Sequence, residues 1–265
     1  MIMLMCCLLF APADAASDQI YDPLTLSASA RPEPYDITVQ DPGRNRAIPL
    51  RIYLPAQKAP APVILFSHGL GGSRTGNAYL SDHWSARGYV AVFLQHPGSD
   101  ESVWKNRPAG ERMAALKKAV NIRNFMLRTQ DVHTVLDQLE IMHRTSGHIL
   151  AGRLDMRRVG MSGHSFGATT AQAVSGERFP FDVNQTDPRI RAAVMMSPGA
   201  PKHGDMKKAF GSVTVPWMLL TGTKDKSLVV DDDAASRLKV FPALPPGGKY
   251  ELVRSEERRV GKECR

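Results

Sequence analysis

A serine between two glycines constrains this 265-residue chain more than any other feature. Ser165 stands in the segment Gly163-His164-Ser165-Phe166-Gly167, directly after the short run 159–162. Where such a segment joins a strand to a helix, it makes a sharp turn that lifts the serine hydroxyl clear of the sheet, and the glycines let the strand and helix pack closely. The motif predicts a nucleophilic serine between a strand at 156–161 and a helix at 168–174. An ordinary glycine-containing loop is the alternative.

A glycine-rich loop lies well upstream, Ser67-His68-Gly69-Leu70-Gly71-Gly72-Ser73, after the strand-like run 63–66. In acyl transfer the oxyanion of the tetrahedral intermediate needs two N–H donors, one from the residue after the nucleophile and one from the loop after the third strand. Phe166 and Leu70 occupy those positions, so their N–H groups form the predicted oxyanion hole. His68 is predicted to shape the turn and not to act as the base. A merely flexible loop is one alternative; a phosphate-binding loop is less favoured because no Gly-Lys-Ser/Thr ending is present.

On these two segments the chain resembles the α/β-hydrolases, in particular the group that contains predicted dienelactone hydrolases and platelet-activating-factor acetylhydrolase-like esterases. The resemblance covers roughly residues 35–253. It implies hydrolysis of a small-molecule or lipid ester through an acyl-enzyme, with no metal and no organic cofactor. Dienelactone hydrolases proper carry a cysteine at the turn, whereas this chain carries Ser165. The resemblance therefore favours an esterase with a serine nucleophile.

The remaining sequence alternates between strand-like and helix-like segments. Such an order predicts one α/β domain, at 35–253, with a mostly parallel sheet covered on both faces. The first two strands are expected to pair antiparallel around a turn at 41–45. The predicted strands are 36–39, 48–54, 63–66, 89–94, 156–161, 192–196, 217–221 and 249–253, and the predicted helical stretches are 77–87, 111–142 and 168–174.

The acid of a Ser-Asp-His triad should follow a late strand. Asp225 comes just after the predicted strand 217–221, at the carboxyl end where open α/β sheets gather their active sites. Asp225 is therefore the predicted triad acid, and a solvated turn aspartate is the alternative. The run Asp231 to Asp233 is held in reserve, because it is more typical of a helix N-terminal cap, where negative charge is favoured.

No histidine follows Asp225 in this sequence. In the family that the chain resembles, the base lies just after the last strand, but here the strand 249–253 runs into the charged segment 254–265. Those twelve residues resemble the translation of a short-read sequencing adaptor, and a natural basic tail is the alternative. We therefore expect a hydrolase domain truncated near residue 253, a non-native tail and an incomplete triad. The eight histidines are His68, His83, His96, His133, His143, His148, His164 and His203.

The first fifteen residues resemble a signal peptide. Residues 1–10 are apolar but too short to span a bilayer, and Ala13-Asp14-Ala15 resembles a small-x-small cleavage site. A periplasmic or secreted enzyme is expected, with a short polar arm at 16–34. A misassigned start upstream of a cytoplasmic enzyme is the alternative.

Charge and cysteine content narrow the possible partners. The net charge of +8 is not gathered into a dense Lys/Arg stripe with interleaved aromatic residues, so no nucleic-acid partner is predicted. Cys6, Cys7 and Cys264 lie outside the predicted domain, so neither a disulfide nor thiol chemistry is expected. No transmembrane span and no metal site are predicted. Two other functions stay open: a non-catalytic binding protein that has lost its base, and an acyltransferase on the same triad.

Overall fold

The computed structural model describes residues 33–255 except 203 and 231. The predicted signal peptide, all but the end of the 16–34 arm, and residues 256–265 of the predicted tail lie outside the described residues, as do His203 and Asp231. The strands are β1 Tyr35–Asp41, β2 Arg46–Tyr53, β3 Ala61–Ser67, β4 Val90–Leu94, β5 Leu154–His164, β6 Ile190–Met196, β7 Trp217–Gly222 and β8 Lys249–Arg254. The α-helices are α1 Ala78–Ala86, α2 Ala109–Ala119, α3 Ile122–Arg144, α4 Phe166–Val174, α5 Met206–Phe210 and α6 Ala234–Arg237.

The eight strands form one sheet in the order β1-β2-β4-β3-β5-β6-β7-β8. The pairs β1–β2 and β2–β4 are antiparallel, and every later pair is parallel. The strand pattern therefore confirms the predicted, mostly parallel sheet with an antiparallel opening. The turn after β1 is a short 3₁₀ helix, Pro42–Arg44, in which the Asp41 carboxylate accepts a hydrogen bond from the Arg44 N–H.

Apolar side chains alternate between the two faces of the central strands. In β3, Val63 and Leu65 belong to the larger core together with residues of α3 and α4. Phe66 points to the opposite face, into an aromatic cluster with Phe93, against which Trp84 of α1 packs. Successive strand residues face opposite sides of a sheet, so the two clusters place helices on both faces, as predicted. None of the described helices is both long and apolar enough to cross a membrane.

The predicted helical stretch 111–142 divides into two helices. Asn121 has an extended backbone (φ −149°, ψ 164°), and its side-chain oxygen accepts a hydrogen bond of 2.8 Å from the N–H of Asn124. That cap satisfies one of the unpaired donors at the start of α3, so the chain leaves α2 and begins a new helix. The break therefore makes α3 a separate 23-residue helix.

Candidate active site

The Gly-x-Ser-x-Gly segment forms the predicted turn between β5 and α4. Ser165 has φ +53° and ψ −117°, a conformation that side chains rarely adopt and that costs on the order of 1–3 kcal/mol. The two glycines are required by contact distance: a Cβ at Gly163 would lie 2.1 Å from the Gly167 carbonyl oxygen, and a Cβ at Gly167 would lie 1.8 Å from the Ser67 carbonyl oxygen. The motif thus folds as a tight elbow because only glycine fits on either side of it.

All four predicted site residues line one open cleft of about 2140 Å³. Ser165 is half-buried at its wall, and its hydroxyl has no hydrogen-bond partner among the residues that the structure describes. The backbone N–H of Ser165 donates to the Met196 carbonyl at 2.9 Å, which anchors the elbow to the end of β6. Leu70, Phe166 and Asp225 line the same cleft. The structure therefore brings together residues that lie far apart in sequence.

The loop after β3 leaves one N–H group unused at the predicted position. The N–H of Gly71 donates to the Ser99 carbonyl at 2.8 Å and that of Gly72 to the Gly69 carbonyl at 3.0 Å, whereas the Leu70 N–H has no acceptor within the described part of the chain. Phe166 is the first residue of α4, and the first N–H groups of a helix have no partner inside it. Two free donors therefore border the cleft beside Ser165.

His68 is buried under this loop. Its Nε2 accepts a hydrogen bond of 3.1 Å from the backbone N–H of His96, so the proton sits on Nδ1, which donates to the Gly69 carbonyl at 2.6 Å. Burial, with the nearby charge of Arg128, holds the pKa of His68 well below its usual range. Both ring nitrogens are occupied by backbone groups, which is the arrangement expected of a residue that shapes the turn.

Asp225 lies in the turn that follows β7. Its backbone N–H donates to the Gly222 carbonyl at 3.1 Å, and its carboxylate accepts a hydrogen bond of 3.1 Å from the Thr221 hydroxyl. The same carboxylate oxygen lies 3.1 Å from Nε of the buried Arg237. Among the described residues, no histidine contacts this carboxylate. The candidate acid is thus paired with an arginine where a triad would place an imidazole.

The end of β8 lies directly beside that turn. Arg254 pairs with Gly222 in the sheet, and its carbonyl accepts a hydrogen bond of 3.0 Å from the Thr223 N–H. The carboxyl end of β8 therefore lies beside the turn that carries Asp225. This is the position at which the family that the chain resembles places its histidine.

The reserve acids have other contacts. Asp233 caps α6: its carboxylate accepts from the Ser236 N–H at 2.9 Å, and the Ser236 hydroxyl accepts from the Asp233 N–H at 3.1 Å. Asp232 lies 3.1 Å from Nη1 of Arg237. Asp233 therefore has the capping contact predicted for the cluster.

Sequence reasoning missed a buried polar network behind the oxyanion loop. The Asp131 carboxylate lies 2.9 Å from Nδ1 of His96, and Nε2 of His96 lies 2.9 Å from the Ser67 hydroxyl. These three side chains have the connectivity of a catalytic triad, yet all are fully buried. Ser67 also accepts a hydrogen bond of 2.8 Å from Arg128. A serine hydroxyl closed off in this way cannot reach a substrate, so the network is structural.

The charges of this network set its hydrogen-bond directions. Burial raises the pKa of Asp131, but hydrogen bonds from His96 and Arg46 outweigh it and lower the pKa to about 2. Burial, assisted by Arg128, lowers the pKa of His96 to about 4. The neutral His96 therefore donates through Nδ1 to the Asp131 carboxylate and accepts through Nε2 from Ser67. The sequence holds a signal for two of these residues, because the charged Arg128 and Asp131 lie on the otherwise apolar face of α3.

A buried carboxyl without a partner lines the same cleft. Glu177 follows α4 and is 6% exposed, and its carboxyl has neither a hydrogen bond nor an ion pair within the described residues. Burial raises its pKa to about 8, so at neutral pH the group is mostly protonated. Nothing in the sequence pattern singled it out.

The sheet order, the helices on both faces and the elbow between β5 and α4 define the α/β-hydrolase fold. No protein-family model matches the chain. Among solved structures, the chain is similar to a cold-adapted esterase from an Arctic intertidal metagenomic library, with a TM-score of 0.59 and 17% identity over 88% of this chain and 90% of that one.

Two further solved structures share the fold. One is a dienelactone hydrolase from Anabaena variabilis, with a TM-score of 0.56 and 17% identity over 88% of this chain and 91% of that one. The other is a ferulic acid esterase from Streptomyces cinnamoneus, with a TM-score of 0.57 and 18% identity over 87% of this chain and 75% of that one. At these identities the similarity establishes the fold.

Proposed function

We propose that this protein is a serine carboxylic-ester hydrolase that forms an acyl-enzyme on Ser165. One observation carries the proposal: a strained elbow presents the Ser165 hydroxyl in a cleft, beside the unpaired N–H groups of Leu70 and Phe166. That arrangement can bind the oxyanion that forms when a serine attacks an ester carbonyl. The similar structures, two esterases and a dienelactone hydrolase, support the same reaction class.

In the proposed reaction the Ser165 oxygen bonds to the ester carbonyl carbon while a histidine takes the hydroxyl proton. The Leu70 and Phe166 N–H groups hold the oxyanion, and Asp225 orients the imidazole. The alkoxy group leaves with that proton as the alcohol, and water then cleaves the acyl-enzyme to release the acid. The substrate is a small-molecule or lipid ester, and the reaction requires neither metal nor cofactor.

The histidine of this triad has no counterpart after Asp225 in the chain. Removal of a triad member reduces turnover by on the order of 10⁴ to 10⁶. We therefore propose that the chain as it stands is nearly inactive, although its nucleophile and oxyanion donors are in place. Hydrolysis at ordinary esterase rates would contradict this part of the proposal.

The test is rescue by an external base. Hydrolysis of p-nitrophenyl acetate is measured with increasing imidazole, which can take the proton that the absent side chain would accept. The Ser165-dependent rate should rise at least about tenfold, because a positioned general base contributes 10²–10⁴-fold. The matched control is Ser165→Ala, which retains the cleft and corrects for hydrolysis by imidazole itself. Equal rates for the two proteins at every imidazole concentration would overturn the nucleophile assignment.

A second candidate rests on the pairing of Asp225 with Arg237. A hydrolase-fold binding protein has no need of a base, and an arginine that neutralises the acid suits that role. The two candidates differ in covalent chemistry, because a fluorophosphonate ester should label Ser165 of the esterase slowly but stoichiometrically. Binding of neutral esters without any Ser165-dependent labelling or rescue would favour the binding protein.

A further inference from the structure

A fully buried arginine lies behind the candidate oxyanion hole. Arg128 belongs to α3, and its guanidinium makes four hydrogen bonds to neutral oxygen atoms. Nε donates to the Thr170 hydroxyl at 3.0 Å, and Nη1 donates to the Ser99 hydroxyl at 2.9 Å. Nη2 donates to the Ser67 hydroxyl at 2.8 Å and to the His68 carbonyl. A single side chain thus binds atoms of three separate segments: the end of β3, the loop after β4 and α4.

One set of partners belongs to the helix that carries Phe166. Thr170 lies one turn further along α4, and its hydroxyl also donates to the Phe166 carbonyl at 2.9 Å. The guanidinium carbon of Arg128 lies 4.7 Å from the centre of the Phe166 ring, within the range of a cation–π contact. Arg128 therefore holds both the backbone and the side chain of the residue that supplies one oxyanion donor.

The other partners belong to the loop that carries Leu70. The His68 carbonyl lies two residues before Leu70, and Ser99 fixes the far side of the loop, since its own carbonyl accepts the Gly71 N–H at 2.8 Å. Arg128 thus spans the space between the two segments whose N–H groups must converge on one oxygen.

The charge of Arg128 has no direct counter-ion. Buried charges in proteins are normally paired with an opposite charge, because an isolated one loses its hydration. Within the described residues no carboxylate forms an ion pair with this guanidinium, although Asp131 and Asp100 lie near enough to favour its charged form and Arg46 disfavours it. Burial lowers the pKa of Arg128 to about 9, so the group remains a cation at neutral pH. Arg128 is therefore a buried cation without a direct ion pair, beside the segments that carry the two candidate oxyanion donors.

We propose that Arg128 is a positioning residue for oxyanion binding: it fixes the Leu70 loop against α4, and its positive charge favours the anionic intermediate without touching the substrate. The proposal rests on the function proposed above. It predicts that Arg128 matters for a tetrahedral anion on Ser165 and not for a neutral ligand in the same cleft.

The probe is phenylboronic acid, whose boron bonds to the Ser165 oxygen to give a tetrahedral anion while the hydroxyl proton passes to the buffer. Its affinity for the whole chain is measured by calorimetry and compared with that of benzamide, a neutral ligand of similar size. Arg128→Met should weaken boronate binding about tenfold or more, since the loss of even one oxyanion donor has effects of 10²–10³. Benzamide affinity should stay unchanged. Arg128→Lys retains the charge but not the planar guanidinium. Its boronate affinity should lie between those of wild type and Arg128→Met.

Two controls separate this role from a loss of stability. Leu139→Ala removes buried contacts from the same helix, three turns away, and should leave the affinity for both ligands unchanged. Thr170→Val keeps the shape of one partner of Arg128 but removes its hydroxyl, so it should weaken boronate binding and leave benzamide binding unchanged. This variant tests the proposal even if Arg128→Met does not fold. The proposal would be overturned if Arg128→Lys and Thr170→Val weakened the binding of boronate and benzamide equally, or weakened the binding of neither.

The two proposals fail differently. Boronate affinity that is the same in wild type and Ser165→Ala would overturn the proposed function, and with it the role of Arg128. Boronate binding that depends on Ser165 but not on Arg128 or Thr170 would overturn the role of Arg128 alone.

Discussion

Gly167→Ala is the substitution for which the fold makes the sharpest prediction. The new Cβ would lie 1.8 Å from the Ser67 carbonyl oxygen, whereas real Cβ contacts essentially never fall below 3.0 Å. The end of β3 and the start of α4 would have to separate by about 1.2 Å, the difference of those two distances. Seven of the nine residues of α4 are buried, so the helix has no free direction in which to move.

The sign of the effect separates two physical accounts. Helix propensity alone predicts that alanine in place of a helical glycine stabilises the protein by about 1 kcal/mol. Overpacking against a backbone atom in a dense core costs about 1–3 kcal/mol or more. Because the clash involves backbone on both sides, we expect the second effect to dominate and the free energy of unfolding to fall by about 2 kcal/mol or more.

Urea denaturation followed by circular dichroism measures this difference. The matched control is Gly110→Ala near the start of α2, where an added Cβ meets nothing within 4 Å. That variant should be at least as stable as wild type, with a gain of up to about 1 kcal/mol. The imidazole-rescued rate of Gly167→Ala should also fall about 10²-fold, because a displacement near 1 Å moves the Phe166 N–H. Equal stability of the two alanine variants would refute the steric account of the motif.

Two further substitutions test the buried ionisable groups. Asp131→Asn should lower the free energy of unfolding at pH 7 by about 3–5 kcal/mol, because Arg44 and Arg46 lose their buried carboxylate. Folding lowers the pKa of Asp131 from 3.8 to about 2, so the stability that its ionised carboxylate contributes is complete above pH 3.8 and is lost as the pH falls through 2. In urea titrations the difference in unfolding free energy between wild type and Asp131→Asn should therefore shrink in acid. A difference that stays constant with pH would contradict this. Burial raises the pKa of Glu177 from 4.5 to about 8, so ionisation of this carboxyl disfavours the folded state. As the pH rises from 4.5 to 8, the free energy of unfolding of Glu177→Gln should therefore increase relative to that of wild type by about 4 kcal/mol. Parallel stability curves for wild type and Glu177→Gln across that range would contradict this assignment.

The active-site elbow shows how far local sequence information reaches. Gly163 and Gly167 are needed because atoms within a few residues, or in the adjacent strand end, leave no room for a Cβ, and the motif signals that need directly. The order of strand-like and helix-like segments likewise predicted all eight strands and a sheet covered on both faces. The aspartate cluster predicted a helix cap, and Asp233 forms one. Each of these features follows from interactions between near neighbours or from a simple repeat.

The environment behind the elbow was decided by tertiary structure. The hydrogen bond between Arg128 and Ser67 joins residues 61 positions apart, and that between His96 and Asp131 joins residues 35 apart. Asp225 was placed correctly at the end of a strand, but its pairing with Arg237 depends on how α6 folds back over β7. Such pairings arise only when strand ends and helices converge, and no periodicity of the chain records them. The sequence by itself therefore determined the fold and the position of the candidate nucleophile, while the packing of α3 and α6 decided which charges surround it.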